Sequence, residues 1–117
     1  MNDRTLLELA ARAAGNGCTW CEFWETMARP LNDGSGWDNR ATWNPLKDDG
    51  DALRLAVKLR FEVQCYPGMA SVIYDDGSPD GAYLQQNPEK GQSDEQATRR
   101  AIVRAAAEIG KSMGGGE

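Results

Sequence analysis

The chain has 117 residues, 13 Lys+Arg against 18 Asp+Glu, no histidine and a formal net charge of -5. That length fits one domain, and 40% apolar residues are enough for one modest core, so composition argues against wholesale disorder. The acidic balance argues against a nucleic-acid groove, no apolar run nears the roughly 18 residues of a membrane span, and the lack of histidine removes Ser-His and Cys-His pairs, His metal ligands and the usual base near neutral pH.

The opening residues, Met1-Asn2-Asp3-Arg4, lack the basic start and apolar stretch of a secretory signal. Asp3 to Ala14 is predicted as a helix, because Leu6, Leu9, Ala10 and Ala13 share one face. Asp3 is the expected N-cap and Gly15 the expected left-handed terminator. Thr19 to Trp24 is read as a short strand on its Thr and aromatic content. A helical turn competes there, since Trp20, Phe23, Trp24 and Met27 also keep helical spacing. Pro30 to Trp43, dense in Gly, Asn, Asp and Ser, is predicted as a long irregular loop.

Asp51 to Arg60 is predicted as a second helix with Ala52, Leu55, Ala56 and Leu59 on its apolar face. Asp48, Asp49 and Asp51 sit where negative charge favours the positive end of the helix dipole. Phe61 to Tyr66 alternates, with Phe61, Val63 and Cys65 on one face, and Cys65 is expected in the core. Pro67-Gly68 is a turn signal, so Met69 to Tyr74 returns as the second strand of a hairpin, and Ala82 to Leu84 offers a third. Ser93 and Gln96 fit a reciprocal cap for a last helix, whose stripe is Ile102, Ala105, Ala106, Ile109 and Met113. Gly110 marks the approach to its end, and Gly114 to Glu117 reads as a disordered tail on a single domain of residues 1–113. Leu55, Leu59, Phe61, Val63, Val72, Ile102, Ala105 and Ile109 are the predicted core. The fold class is α+β: a small antiparallel sheet centred on a β-hairpin, with flanking helices.

Three features of this order resemble a group of small phage and prophage proteins, the phage ABA-sandwich domain family, with the NinX-like proteins of lambdoid phages as relatives in pattern. They are the Trp43-Asn44-Pro45-Leu46 block followed by an acidic turn and helix, the hairpin from Phe61 to Tyr74, and the closing helix containing Ala97-Thr98-Arg99-Arg100-Ala101-Ile102-Val103-Arg104. The likeness covers roughly the last two thirds of the chain, as an order of elements more than a catalytic signature. It implies an α-β-α sandwich, a phage or prophage origin and the cytoplasm of a bacterial host, and no established activity.

Few residues carry chemistry. Cys18 and Cys21 form a C-x-x-C pair able to hold zinc or exchange electrons. With Cys65 as the only other thiol, a zinc site is one ligand short, and the preceding helix and Gly15-Asn16-Gly17 break the thioredoxin-like order. The acidic turns around Asp48 and Asp75 lack the spacing and closing Glu of an EF-hand. Arg99, Arg100 and Arg104 read as a solvated face with ion pairs, and no nucleotide-binding motif is present. Neither a catalytic residue, a metal nor a cofactor is expected. The expected activity is that of an accessory protein binding a host or phage protein, with no nucleic acid and no membrane as partner. The interaction surface is assigned to Trp37, Asp38 and Arg40, an aromatic anchor among adaptable polar groups. The alternative is a small enzyme or metal-binding protein built on Cys18 and Cys21.

Overall fold

Helix α1 (Asp3–Ala14) is capped one residue earlier than expected, by Asn2 in place of Asp3. Asn2, with extended backbone, accepts the Thr5 N–H on its side chain at 2.8 Å. Asp3 already has helical backbone, so its charge instead meets Arg100 at 3.0 Å. Gly15 closes the helix at φ 62, bonding back to the Ala11 and Arg12 carbonyls, as glycine's freedom allows. The computed structural model describes residues 2–113; the expected tail, Gly114 to Glu117, lies outside them.

A three-stranded antiparallel sheet follows, in the order β1 (Thr19–Cys21), β2 (Thr26–Pro30), β3 (Trp37–Trp43). The expected strand Thr19 to Trp24 therefore stops at Cys21, and a tight turn with Glu25 at φ 51 reverses the chain. The loop predicted from Pro30 to Trp43 is overturned: only residues 31–36 form a loop, and Pro30 pairs with Trp37. Trp37, Thr42 and Trp43 suit a pleated surface and won over the turn-forming residues between them. Those residues are absorbed by a bulge. Ala28 pairs with Thr42 but the next residue, Arg29, pairs with Asp38, so residues 39–41 leave the ladder. The Asp38 carboxylate accepts the Arg40 N–H at 3.0 Å and closes the bulge.

The Trp43–Leu46 block ties this sheet to helix α2 (Asp49–Lys58). Asn44 accepts the Leu46 N–H on its side chain, while its own N–H is held by Asp51 at 2.9 Å. Asp48 caps α2 through the Asp51 N–H. At the other end Phe61 N–H reaches the Ala56 carbonyl and Arg60 N–H the Val57 carbonyl, a Schellman closure that puts Arg60 at φ 59. The second sheet is antiparallel in the order β4 (Glu62–Tyr66), β5 (Met69–Tyr74), β6 (Ala82–Gln86). Its register places Val63 opposite Val72 and Val72 opposite Leu84. Helix α3 (Asp94–Met113) opens on the expected reciprocal cap: Ser93 Oγ accepts the Gln96 N–H and Gln96 returns the bond to Ser93.

Among the described residues, three helices and two small antiparallel sheets make an α+β sandwich centred on the expected hairpin. Helix α1 lies along α3; α3 packs on β4, β5 and β6, and α1 on β1 and β2. The helix pair thus joins the two sheets through one core of Leu6, Leu7, Leu9, Met27, Leu55, Val72, Ile102 and Val103 with many alanines. The α1 face buried there is wider than the predicted stripe: Leu7, Ala11 and Ala14 are inside, and Ala13 is half-buried. Of the predicted core, Leu55, Val72, Ile102 and Ala105 are buried, while Leu59, Phe61, Val63 and Ile109 are half-buried. Met113 is exposed. Cys65 is exposed as well, against expectation. It is on the inner face of the hairpin, but at a place where α2 and α3 leave a groove unfilled. The arginines of α3 are held from other elements: Arg99 by the Leu46 carbonyl and Asp49, Arg100 by Asp3, and Arg104 by Gln86. Among the described residues no helix is long and apolar enough to cross a membrane.

Candidate functional site

The groove beside Cys65 has the features of a binding surface. Its volume is about 360 Å3, between α2, β4 and α3. Ala52 and Leu53 of α2, Val63 and Cys65 of β4, and Ile102 of α3 make an apolar lining. Asp49, Asp94 and Glu95 stand at its edges, together with Arg99. Local sequence explains the layout. Asp49 lies in the first turn of α2, and Asp94 and Glu95 in the first turn of α3, where carboxylates are favoured by the helix dipole. Two helix N-termini that converge therefore bring acid to one rim.

The rim charges are unevenly engaged. Arg99 is only 16% exposed and holds Asp49 at 2.6 Å, which fixes the start of α2 against α3. Asp94 accepts the Gly68 N–H at 3.1 Å and so pins the hairpin turn to α3. Glu95 is exposed. On the outer side of α2, Leu53 and Val57 are 64% and 68% exposed. They are four residues apart, so they stand one above the other on a single helix face. Leu53 thus extends the lining of the groove outward onto the helix. Solvent-facing leucine and valine in adjacent turns leave apolar area for a partner to cover.

The residues singled out from sequence lie elsewhere. Trp37 is half-buried at the start of β3, Asp38 closes the bulge, and Arg40 projects from it with its side chain 92% exposed. None of the three lines the groove. Trp20 and Trp43 are partly buried against the core, and the Arg4 guanidinium sits 5.3 Å from the Trp20 ring. Cys18 and Cys21 are three residues apart on nearly extended chain, which turns their side chains to opposite sides. Cys21 is fully buried, whereas Cys18 is half-buried with its Sγ 3.8 Å from the Ala41 carbonyl. Burial pushes the Cys18 thiol above its ordinary pKa, Arg29 opposes that, and Asp51 adds to it. A raised pKa leaves less thiolate, the form that binds metal or attacks a disulfide. Among the described residues no group of three or more His, Cys, Asp or Glu could hold a metal ion.

The groove had a signal in sequence. Leu53 and Val57 fall off the Ala52, Leu55, Ala56, Leu59 stripe of α2 while sharing a face of their own. Two apolar stripes on one short helix mean that one of them lacks a place in the core. The convergence of two acidic helix starts from Asp49 and Asp94, 45 positions apart by these numbers, depends on tertiary packing and had no local signal. No family model matches the chain, and neither the curated proteins nor the solved structures yield a significant match.

Proposed function

We propose that this is a phage or prophage accessory protein that acts by binding another protein, with the α2–α3–β4 groove as its contact surface. The observation that carries the reading is the pairing of exposed Leu53 and Val57 with an apolar groove under an acidic edge. The partner segment that fits is apolar on one side and basic at its flanks. Its apolar side chains would enter beside Val63, Cys65 and Ile102, and its Lys or Arg would meet Asp49, Asp94 and Glu95. The phage origin rests on the resemblance in the order of elements. The divergent placement of Cys18 and Cys21 gives the metal-binding or small-enzyme alternative no structural support of its own.

The test is retention of a host or phage protein from infected-cell lysate on the immobilised chain, compared with Leu53→Asp/Val57→Asp and with Trp37→Ala. Both α2 positions face solvent, so the double variant is expected to keep the fold while losing the retained protein. Trp37→Ala is expected to retain it. Retention that survives in the α2 variant and fails in Trp37→Ala returns the contact surface to β3. Elemental analysis showing zinc at one per chain would instead favour the metal-binding alternative.

A further inference from the structure

A second pocket, of about 350 Å3, lies between α2, the end of α1 and the bulged hairpin of β2 and β3. Four cations of this acidic chain line it. Arg29 comes from β2, Arg40 from the bulge, and Arg54 and Lys58 from adjacent turns of α2. Asp51 is the only carboxylate in the lining. It is already committed, accepting the Asn44 N–H at 2.9 Å and the Arg54 guanidinium at 2.7 Å. Neither Arg29 nor Lys58 pairs with a carboxylate among the described residues, and Arg40 has only Asp38 at 3.9 Å. By contrast, Arg4, Arg99 and Arg100 each hold a carboxylate at 3.3 Å or less.

Like charges gathered around one pocket repel, and like-charge pairs four apart on a helix, as Arg54 and Lys58 are, destabilise it. In a chain with a net charge of -5 there is no shortage of acid to neutralise them. The fold nonetheless spends a three-residue bulge to put Arg40 at this pocket rather than in the ladder. We propose that the pocket binds a small phosphate-bearing anion of the pyrophosphate type. Four cations against one carboxylate leave three positive charges, which match a diphosphate group carrying about three negative ones. Guanidinium forks donate paired N–H bonds to phosphate oxygens, and the lysine adds a point charge. The volume falls within the range of about 300–1,000 Å3 usual for small-ligand pockets, so it holds such a group with space beside Thr42 and Trp43 for the rest of a ligand. This site is separate from the apolar groove and shares with it no lining residue.

The probe is inorganic pyrophosphate, titrated into the full chain by calorimetry at fixed ionic strength. One-site binding is expected. Arg29→Gln/Lys58→Gln is expected to weaken it by about tenfold or more, a difference of about 1.4 kcal/mol. Lys90→Gln/Lys111→Gln removes the same net charge at exposed positions outside the pocket and is expected to leave affinity within about twofold. Absence of binding, or equal weakening in the two variants, overturns the proposal. Tighter binding of a single-stranded oligonucleotide than of pyrophosphate also overturns it, in favour of an extended nucleic-acid contact. A second readout uses no variant. Cys18 lines the pocket and Cys65 does not, so pyrophosphate is expected to slow alkylation of Cys18 alone, read peptide by peptide in a mass spectrometer. Protection of both thiols, or of neither, contradicts the assignment.

Discussion

Gly110→Ala is expected to weaken the protein although it adds only a single methyl group. Gly110 is buried inside α3 and faces α1. A Cβ built there would lie 2.8 Å from the Leu9 carbonyl carbon and 3.3 Å from its Cα, and closer still to the carbonyl oxygen. Carbon atoms pack comfortably at about 3.5–4.0 Å, so the two helices would have to part by roughly 1 Å. Neither side of the clash can rotate away, because the Cβ position is fixed by its own backbone and the Leu9 atoms are backbone. Arg12, which donates to the Gly110 carbonyl at 3.3 Å, bonds across the same contact. Beyond it the helices bury Ala10, Ala11 and Ala14 on one side and Ala101, Ala105 and Ala106 on the other, all small. Opening such a seam by 0.5–1 Å forfeits about a quarter to a half of each contact's attraction.

Overpacking of this kind costs about 1–3 kcal/mol, and sometimes more, whereas alanine in place of glycine in a helix returns about 1 kcal/mol. Because the clash is with backbone, the upper part of the range applies and a net loss of about 2 kcal/mol is expected. Marginal stability of roughly 0.05–0.15 kcal/mol per residue makes that a substantial fraction of the whole. Urea unfolding followed by far-UV circular dichroism and tryptophan fluorescence measures it. Gly50→Ala is the matched control: its Cβ meets only the ends of the Asp48 and Arg54 side chains, at 3.1 and 3.2 Å. Its midpoint is expected to move by less than about 1 kcal/mol in equivalent stability. A Gly110→Ala midpoint equal to or above that of the unaltered chain would refute the close approach of α1 and α3.

Leu55→Ala and Ile102→Ala remove side chains that are 3% and 5% exposed, and each is expected to cost about 2–5 kcal/mol by denaturant midpoint. Arg60→Gly is expected to stabilise the chain by about 0.5–1 kcal/mol in the same assay, since Arg60 sits at φ 59 in a helix closure that favours glycine. Asp76 accepts hydrogen bonds from the Ser78 hydroxyl and N–H, and Asp33 from those of Ser35, which hold both carboxyls below the usual carboxylate range. Their charged forms are the bonded ones, so the stability they contribute is present above the unfolded value of about 3.9 and is lost as pH falls through the lower folded values. In an NMR titration Ser78→Ala is expected to raise the Asp76 pKa and leave that of Asp33 in place.

Local patterns carried most of the fold. Helical spacing located α1, α2 and α3, and alternation around Pro67-Gly68 located the hairpin, because each depends on residues within a few positions of one another. The β2–β3 hairpin escaped notice for a physical reason. Its strands are paired across a three-residue bulge, so the period-2 signal of β3 is interrupted by the very polar residues that read as a loop. Cys65 shows a different limit. Alternation assigned it correctly to the inner face of β4, but whether that face is covered depends on how far α2 and α3 spread, which no local pattern encodes. Gly110 reads from sequence as a residue near the helix end, because its close approach to the Leu9 backbone depends on how α1 packs on α3, which no local pattern encodes. Of the two pockets, only the parts on α2 were legible.

Helix α2 joins these observations, because its ten residues serve three environments. Ala52, Leu55 and Ala56 are buried in the core. Leu53 and Val57, one turn apart, face the solvent beside the groove, and Arg54 and Lys58, also one turn apart, line the cationic pocket. Spacings of four keep each pair on its own stripe, about 100° of rotation from the next. A helix this short is not stable alone, so the stripes keep their places only through its fastenings. At the start these are Asp48, which caps it, and Arg99, which holds Asp49 and the Leu46 carbonyl. At the end it is the Arg60 closure. Leu55 belongs to both the core and the wall of the cationic pocket, and Ala52 to both the core and the groove. A shift of α2 toward either opening therefore changes the other, and the burial of its middle stripe sets the geometry of both surfaces.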